Sequence, residues 1–97
     1  MTTLNNAKKM ALDYVNKDFD LSEFDDRIEI FDEKTLELPQ GWVFYYNSVK
    51  FKETNDFQFM LLGNSPVFVS QETGIPSYIR GDLEAHEAVE KLIATKL

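Results

Sequence analysis

The chain has 97 residues, of which 43% are hydrophobic and 13% aromatic, so it is long enough and apolar enough for one packed domain. It contains no cysteine, which excludes disulfide bonds, thiolate metal sites and a cysteine nucleophile. Its net charge of −7 disfavours binding to nucleic acid or to an anionic membrane. No run approaches the roughly 20 apolar residues of a membrane span, and no signal peptide is evident, so we expect a cytoplasmic protein.

The negative charge is concentrated between residues 18 and 37, where nine acidic residues accompany only two bases, Arg27 and Lys34. The rest of the chain is neutral. Such a segment can steer a basic protein partner toward the domain, although the simpler interpretation is that the acids only keep the protein soluble. Its candidate partner-binding residues are Asp18, Asp20, Glu23, Asp25, Asp26, Glu29, Asp32 and Glu33.

Apolar residues at spacings of three and four predict a first helix from Thr3 to about Lys17, with Thr2 or Thr3 as its N-cap. The predicted buried stripe consists of Leu4, Ala7, Ala11, Tyr14 and Val15. An acidic connector follows over residues 18–26. Its apolar residues are spaced as core anchors, with ligand contact as the alternative role; they are Phe19, Leu21 and Phe24.

Alternating apolar residues predict a first strand over residues 27–31, which resumes near 35–38 after a bulge or turn. A Pro-Gln-Gly turn leads into a second, interior strand from Gly41 to Asn47. Apolar side chains on both faces of this strand indicate that both sides of the sheet are covered. Trp42, Phe44 and Tyr46 share one face, and Val43 and Tyr45 share the other.

Residues 48–64 are less regular, and we predict a partly helical segment that leaves the sheet and packs against it. The apolar residues that we expect to be buried there are Phe51, Phe57, Met60 and Leu61. A third strand is predicted from Val67 to Ser70, followed by a hairpin turn in which Gly74 has positive φ. A fourth strand from Ile75 to Arg80 contains Pro76, which predicts an edge position because proline cannot donate to a ladder.

Asp82 is a candidate N-cap for a final helix from Leu83 to Lys96. The predicted buried stripe of this helix consists of Ala85, Val89, Leu92 and Ile93. His86, on the same helix, is the only histidine and is expected to be solvated. We predict no catalytic residue, no metal site and no cofactor, because the chain has neither a phosphate loop nor a metal-ligand cluster, and the Asp25-Asp26 pair lies in a solvated connector.

Three blocks of sequence carry a family resemblance: EKTLELPQGWVFYYNS over 33–48, FKETNDF over 51–57, and LLGNSPVFVSQETG over 61–74, followed by Gly81. In order and spacing they resemble the immunity protein 35 family, also described as the YrhB-like domain. The diagnostic positions are Trp42, Glu53, Thr54, Gly63, Asn64, Pro66 and Gly74. Most of these are interpreted as structural; Glu53, Thr54 and Asn64 either build turns or contact a partner.

The resemblance implies a single α+β domain over residues 1–97, with an N-terminal helix, an antiparallel sheet of about four strands and a C-terminal helix. It implies no enzymatic activity. It also implies a cognate protein toxin as the partner, in a bacterial polymorphic toxin system, with the chain a monomer or weak homodimer. Two alternatives are a chaperone-like holdase of the YrhB type, which binds unfolded clients, and a structural subunit of a larger assembly.

Overall fold

The computed structural model describes residues 2–96, and its side chains as far as residue 95. Helices α1, α2 and α3 span Leu4–Asn16, Val49–Thr54 and Ala85–Lys96. Strands β1 to β6 span Ile28–Ile30, Leu36–Leu38, Gly41–Phe44, Tyr46–Ser48, Val67–Ser70 and Pro76–Tyr78. Three single 3₁₀ turns span Ser22–Phe24, Asp32–Lys34 and Phe57–Phe59.

The strands form two antiparallel sheets, one of four strands in the order β2-β3-β5-β6 and one of two strands, β1 and β4. The architecture is α+β, as predicted. The two sheets join where β3 and β4 are separated by Tyr45 alone, so the predicted unbroken strand over 41–47 is wrong at this residue.

The break between the two sheets has a simple cause. Residues 31–35 lie opposite residues 44–45, so the extra residues bulge out as the 3₁₀ turn of Asp32–Lys34. The Phe31 N–H still donates to the Tyr45 carbonyl oxygen, at 2.8 Å. The predicted interruption of the first strand is therefore confirmed.

The four-stranded sheet is covered on both faces, as the apolar pattern predicted. Helix α1 packs on the face that carries Trp42 and Phe44, and α3 packs on the face that carries Val43 and Phe68. The first core cluster comprises Ala7, Ala11, Val15, Ile28, Ile30, Trp42, Phe44, Tyr46, Val67 and Val69. The second comprises Val43, Phe68, Ile79, Ala88 and Val89.

The helix ends agree only in part with the predictions. The Thr3 hydroxyl accepts from the Asn6 N–H at 3.2 Å, so Thr3 is the N-cap of α1. In α3 the predicted cap is wrong, because its first helical bond runs from Ala88 N–H to Glu84 O and Asp82 pairs with Arg80 instead, at 2.6 Å. The outer members of both predicted stripes, Leu4 in α1 and Ile93 in α3, are exposed.

The hairpin between β5 and β6 forms as predicted. Gly74 has a φ of 72°, and its N–H donates to the Ser70 carbonyl oxygen at 2.8 Å. Strand β6 is an edge strand, in agreement with the position of Pro76, but it ends at Tyr78, short of the predicted Arg80.

Side chains of β4 hold an irregular segment, residues 57–65, that pairs with no strand. The buried Asn47 amide accepts from the Leu61 N–H at 2.8 Å and donates to the Leu61 carbonyl at 3.4 Å. The buried Ser48 hydroxyl donates to the Phe59 carbonyl at 2.8 Å. Tyr46 donates from its hydroxyl to the Ser65 carbonyl at 2.7 Å. Buried polar groups of one strand thus take the place of a strand ladder for this segment.

Candidate partner interface

Three carboxylates of the acidic segment hold the connector in place. The Asp18 carboxylate accepts from the Tyr78 hydroxyl at 2.6 Å, and Asp20 accepts from the Ser22 N–H at 3.0 Å. Asp26 accepts from the N–H groups of Arg27, at 2.8 Å, and of Lys50, at 3.1 Å. Asp26 thereby ties the connector to the first turn of α2, where an anion is favoured.

These bonds change the acidity of Asp26. Burial opposes its charge and by itself would raise the pKa. The bonds from the N–H groups of Lys50 and Arg27, with smaller contributions from the Ser48 hydroxyl and the Lys50 ammonium, outweigh burial and lower the pKa below its ordinary value. The carboxylate of Asp26 is therefore part of the folded structure rather than a free charge.

Two other acids are neutralised by lysines from outside the segment. The Lys8 ammonium of α1 lies 2.7 Å from the Asp32 carboxylate, and the Lys52 ammonium of α2 lies 2.9 Å from the Glu29 carboxylate. The hydrogen bond that Lys52 donates to Glu29, aided by the charges of Glu29, Glu33 and Asp32, raises the pKa of the Lys52 amine. The negative charge in the later part of the acidic segment is thus partly neutralised.

Three candidate acids have carboxylates without a hydrogen-bond or ion-pair partner among residues 2–96, and all three are exposed: Glu23, Asp25 and Glu33. Glu23 and Asp25 lie at the 3₁₀ turn of Ser22–Phe24, whereas Glu33 lies at the turn of Asp32–Lys34. The eight predicted contact residues therefore divide into five with internal bonds and three that are available to a partner.

Beside Glu23 and Asp25 lies an apolar groove, which we call the Phe24 groove. Its volume is about 340 Å³. One wall is the connector and the other is the irregular segment held by β4. Its lining is mainly apolar, with two polar residues: Leu21, Phe24, Phe59, Met60 and Leu61, together with Asp26 and Gln58. A second, polar depression shares Asp26 with it and includes Asp25 and Glu53.

Two aromatic residues near this groove are exposed, contrary to prediction. Phe24 is 66% exposed and Phe57 is 78% exposed, although both were expected to pack in the core. Leu62, directly after the groove lining, is 81% exposed. Both aromatics lie in single 3₁₀ turns, where spacing does not define a buried face, so the spacing of Phe24 and the hydrophobicity of Phe57 were both misleading signals.

A larger depression of about 690 Å³ lies between the β5–β6 turn and α3. Its apolar lining includes Ile75, which is 58% exposed, together with Leu92 and Ile93. Glu72 is the one charged side chain in its lining among the described residues. This depression therefore lacks the acidic rim of the Phe24 groove.

Most diagnostic positions of the resemblance have structural roles. Trp42 and Pro66 are buried, and Gly63 and Gly74 have φ values of 73° and 72°. The remaining three positions differ from one another. The Asn64 amide donates to the Tyr46 carbonyl at 3.1 Å, Thr54 accepts from the Asp56 N–H at 3.1 Å, and Glu53 is exposed on α2.

His86 is exposed, in agreement with prediction. Its Nδ1 lies 3.5 Å from Glu84 Oε2, and Glu87 completes a group whose ligand atoms lie within 4.8 Å of one another. All three side chains are exposed, Glu84 directly before α3 and the other two in its first turn, and exposed groups of this kind are common without an ion. Among the described residues, no helix is both long and apolar enough to cross a membrane.

An α+β domain with unpaired acids beside an apolar groove is suited to binding another protein. Comparison with protein families supports this interpretation, because residues 5–89 match immunity protein 35. The chain therefore belongs to the immunity protein 35 family, as the resemblance implied. Membership implies toxin neutralisation, and proteins of this family are generally inhibitors without enzymatic activity. No curated protein and no solved structure matches the chain.

Proposed function

We propose that this chain is a cytoplasmic immunity protein that neutralises one cognate toxin of a polymorphic toxin system by binding it directly. The observation that carries the proposal is the family match over residues 5–89. The unpaired Glu23, Asp25 and Glu33 support it, because exposed carboxylates attract a basic surface and accelerate association. The chain binds as a monomer or weak homodimer and needs neither a metal nor a cofactor.

The direct test is co-expression with the toxin domain encoded by the neighbouring gene in a sensitive bacterial host. We expect growth to be restored by the chain, and the two purified proteins to form a stoichiometric complex. The complex should weaken at high salt, because charge pairs between exposed groups are screened. Failure of the purified chain to bind the toxin, or failure to restore growth, would reject the proposal.

Charge reversal of the acidic segment must spare the residues that hold the fold. Asp26 and Glu29 have internal partners, so their reversal disturbs the connector and α2 as well as any interface. Glu23, Asp25 and Glu33 are free of such partners among residues 2–96. Reversal of these three to lysine should reduce both affinity and its salt dependence, and unchanged values would reject the acidic segment as the contact.

The holdase alternative is supported by a different observation, the exposure of Phe24, Phe57 and Leu62. A holdase needs exposed apolar surface of this kind to bind unfolded clients. Suppression of the aggregation of reduced insulin, at a ratio near one chain per client, would favour the holdase. An inhibitor of one toxin should leave that aggregation unchanged.

A further inference from the structure

We propose that the centre of the toxin contact is the Phe24 groove, and that its occupant is a toxin segment with an apolar side chain flanked by lysine or arginine. This inference rests on the proposed function and adds to it the contact surface and the chemistry of the partner. Both groove walls are fixed, their apolar residues are partly or mostly exposed, and the rim is acidic.

The connector wall is fixed by two contacts with α2. The Asp26 carboxylate accepts from the Lys50 N–H at 3.1 Å, and the Lys50 ammonium donates to the Phe24 carbonyl at 2.8 Å. Both bonds are made by groups of Lys50, so one residue of α2 holds the Phe24 carbonyl and the Asp26 carboxylate, on either side of Asp25. Phe24 is thus held at the surface by its backbone while its ring stays 66% exposed.

The opposite wall is fixed by buried side chains of β4. Asn47 bonds both backbone groups of Leu61, and Ser48 bonds the Phe59 carbonyl. The groove therefore exists before a partner arrives, and a preformed site loses less conformational entropy on binding. An apolar groove with fixed walls suits the insertion of one side chain from a partner.

The acidic residues at the rim of the groove favour basic residues on either side of the partner's inserted side chain. Glu23 and Asp25 stand beside Phe24 without a partner in the part of the chain that the structure describes, and Glu53 is exposed beside Asp25 in the adjoining depression. Arg27 and Lys50 are the bases lining that depression, and the ammonium of Lys50 is already bonded to the Phe24 carbonyl. Basic groups of a partner therefore find complementary charge next to an apolar anchor site.

The test compares two exposed apolar residues in different depressions. The affinity of the neighbouring gene's purified toxin domain is measured for the wild-type chain, Phe24→Ala and Ile75→Ala. We expect Kd to rise at least about tenfold for Phe24→Ala and to change less than about twofold for Ile75→Ala. Because both residues are more than half exposed, both variants should keep the wild-type circular dichroism spectrum.

The charge at the rim is tested with variants of equal total charge. Asp25→Lys should slow association at low salt by about tenfold and flatten its salt dependence, because steering acts on the association rate. The matched control, Glu90→Lys, carries the same charge change on an exposed residue of α3 away from the groove and should change the rate less. An effect of Glu90→Lys as large as that of Asp25→Lys would overturn the assignment to the groove.

The two proposals fail in different ways. If the wild-type chain does not bind the toxin, the proposed function is wrong. If it binds and restores growth while Phe24→Ala, Leu62→Ser and Asp25→Lys all bind equally well, the contact lies elsewhere and only the groove is rejected. Loss of binding in Ile75→Ala rather than Phe24→Ala would move the contact to the larger depression.

Discussion

At the scale of single residues, Ser48 bonds two separate pieces of backbone through one buried hydroxyl. Its Oγ accepts from the Phe51 N–H at 2.9 Å, which caps α2, and donates to the Phe59 carbonyl at 2.8 Å. Capping and satisfaction of a buried carbonyl are usually provided by different side chains. A single substitution of Ser48 therefore removes both the cap of α2 and the bond to the Phe59 carbonyl.

Ser48→Ala should lower the free energy of unfolding by about 2 to 3 kcal/mol, since it removes a cap and leaves the Phe59 carbonyl unpaired. The matched control is Thr3→Ala, which removes only the exposed cap of α1 and should cost about 1 kcal/mol. Urea unfolding of both variants measures the difference. Equal losses would show that the Phe59 bond contributes nothing to stability.

Gly41 lies where two backbones approach closely. A Cβ atom at this position would lie 2.1 Å from the Val69 carbonyl oxygen, which is far inside contact distance. Gly63, by contrast, has a φ of 73° but nothing within 4 Å of such an atom. Gly41 also has a positive φ, of 155°, so both close contact and backbone conformation oppose a side chain there, whereas at Gly63 only backbone conformation does.

Gly41→Ala should destabilise the protein by about 3 kcal/mol, because β3 and β5 must move apart. Gly63→Ala should cost about 1 to 2 kcal/mol from backbone conformation alone. Thermal unfolding of the two variants tests this order. A Gly41→Ala variant that is as stable as Gly63→Ala would contradict the close approach.

At the scale of elements, the connector and α2 are joined by a carboxylate whose pKa lies below its ordinary value of 3.8. A depressed pKa in the folded state means that the unfolded chain binds the proton first as the pH falls. The stability that Asp26 contributes is therefore fully present above about pH 5. It is lost as the pH falls through 3.8 toward the lower folded pKa.

Asp26→Asn should reduce the loss of stability as the pH falls, since the amide does not titrate. Urea midpoints at pH 7 and pH 3 should differ more for the wild-type chain than for the variant. Glu90→Gln serves as the control because it makes a similar change at an exposed carboxylate of α3, away from the connector. An identical acid dependence in all three proteins would show that Asp26 does not contribute to the loss of stability at low pH.

Strand β3 places Trp42 under α1, where it is 6% exposed. Trp42→Ala should cost about 3 to 5 kcal/mol, because it leaves a large cavity in the core that α1 shares with the sheet. Phe24→Ala should change stability by less than about 1 kcal/mol, since its ring is mostly in water. An unchanged urea midpoint for Trp42→Ala would contradict its burial.

The sequence predicted the elements well where periodicity was strong. The third predicted strand, Val67 to Ser70, has the bounds of β5, and the alternation over 41–47 placed each side chain on its observed face. The start of α3 was predicted two residues early, because Asp82 has a local partner in Arg80 that competes with capping. Local side-chain pairing of this kind has no periodic signal.

At the scale of the whole molecule, composition predicted the acidic segment but not which of its acids have partners within the fold. Fixed partners for Glu29 and Asp32 come from Lys52 and Lys8, which are distant in sequence and meet the segment only in the fold. The groove was missed for a related reason. Its walls are two irregular segments, and the residues that hold them lie between them in the chain. Asn47 and Ser48 of β4 hold one wall, and Lys50 of α2 holds the other.

The way β4 holds residues 57–65 has a consequence for how such a protein diversifies. The anchoring groups are buried amide and hydroxyl side chains that bond backbone atoms, so they place no demand on the side chains of the segment they hold. Exposed positions such as Phe57 and Leu62 can therefore change identity while the core and its two helices stay as they are. Under the proposed toxin contact at the Phe24 groove, specificity for an altered toxin can change by substitution of exposed residues while the core is retained.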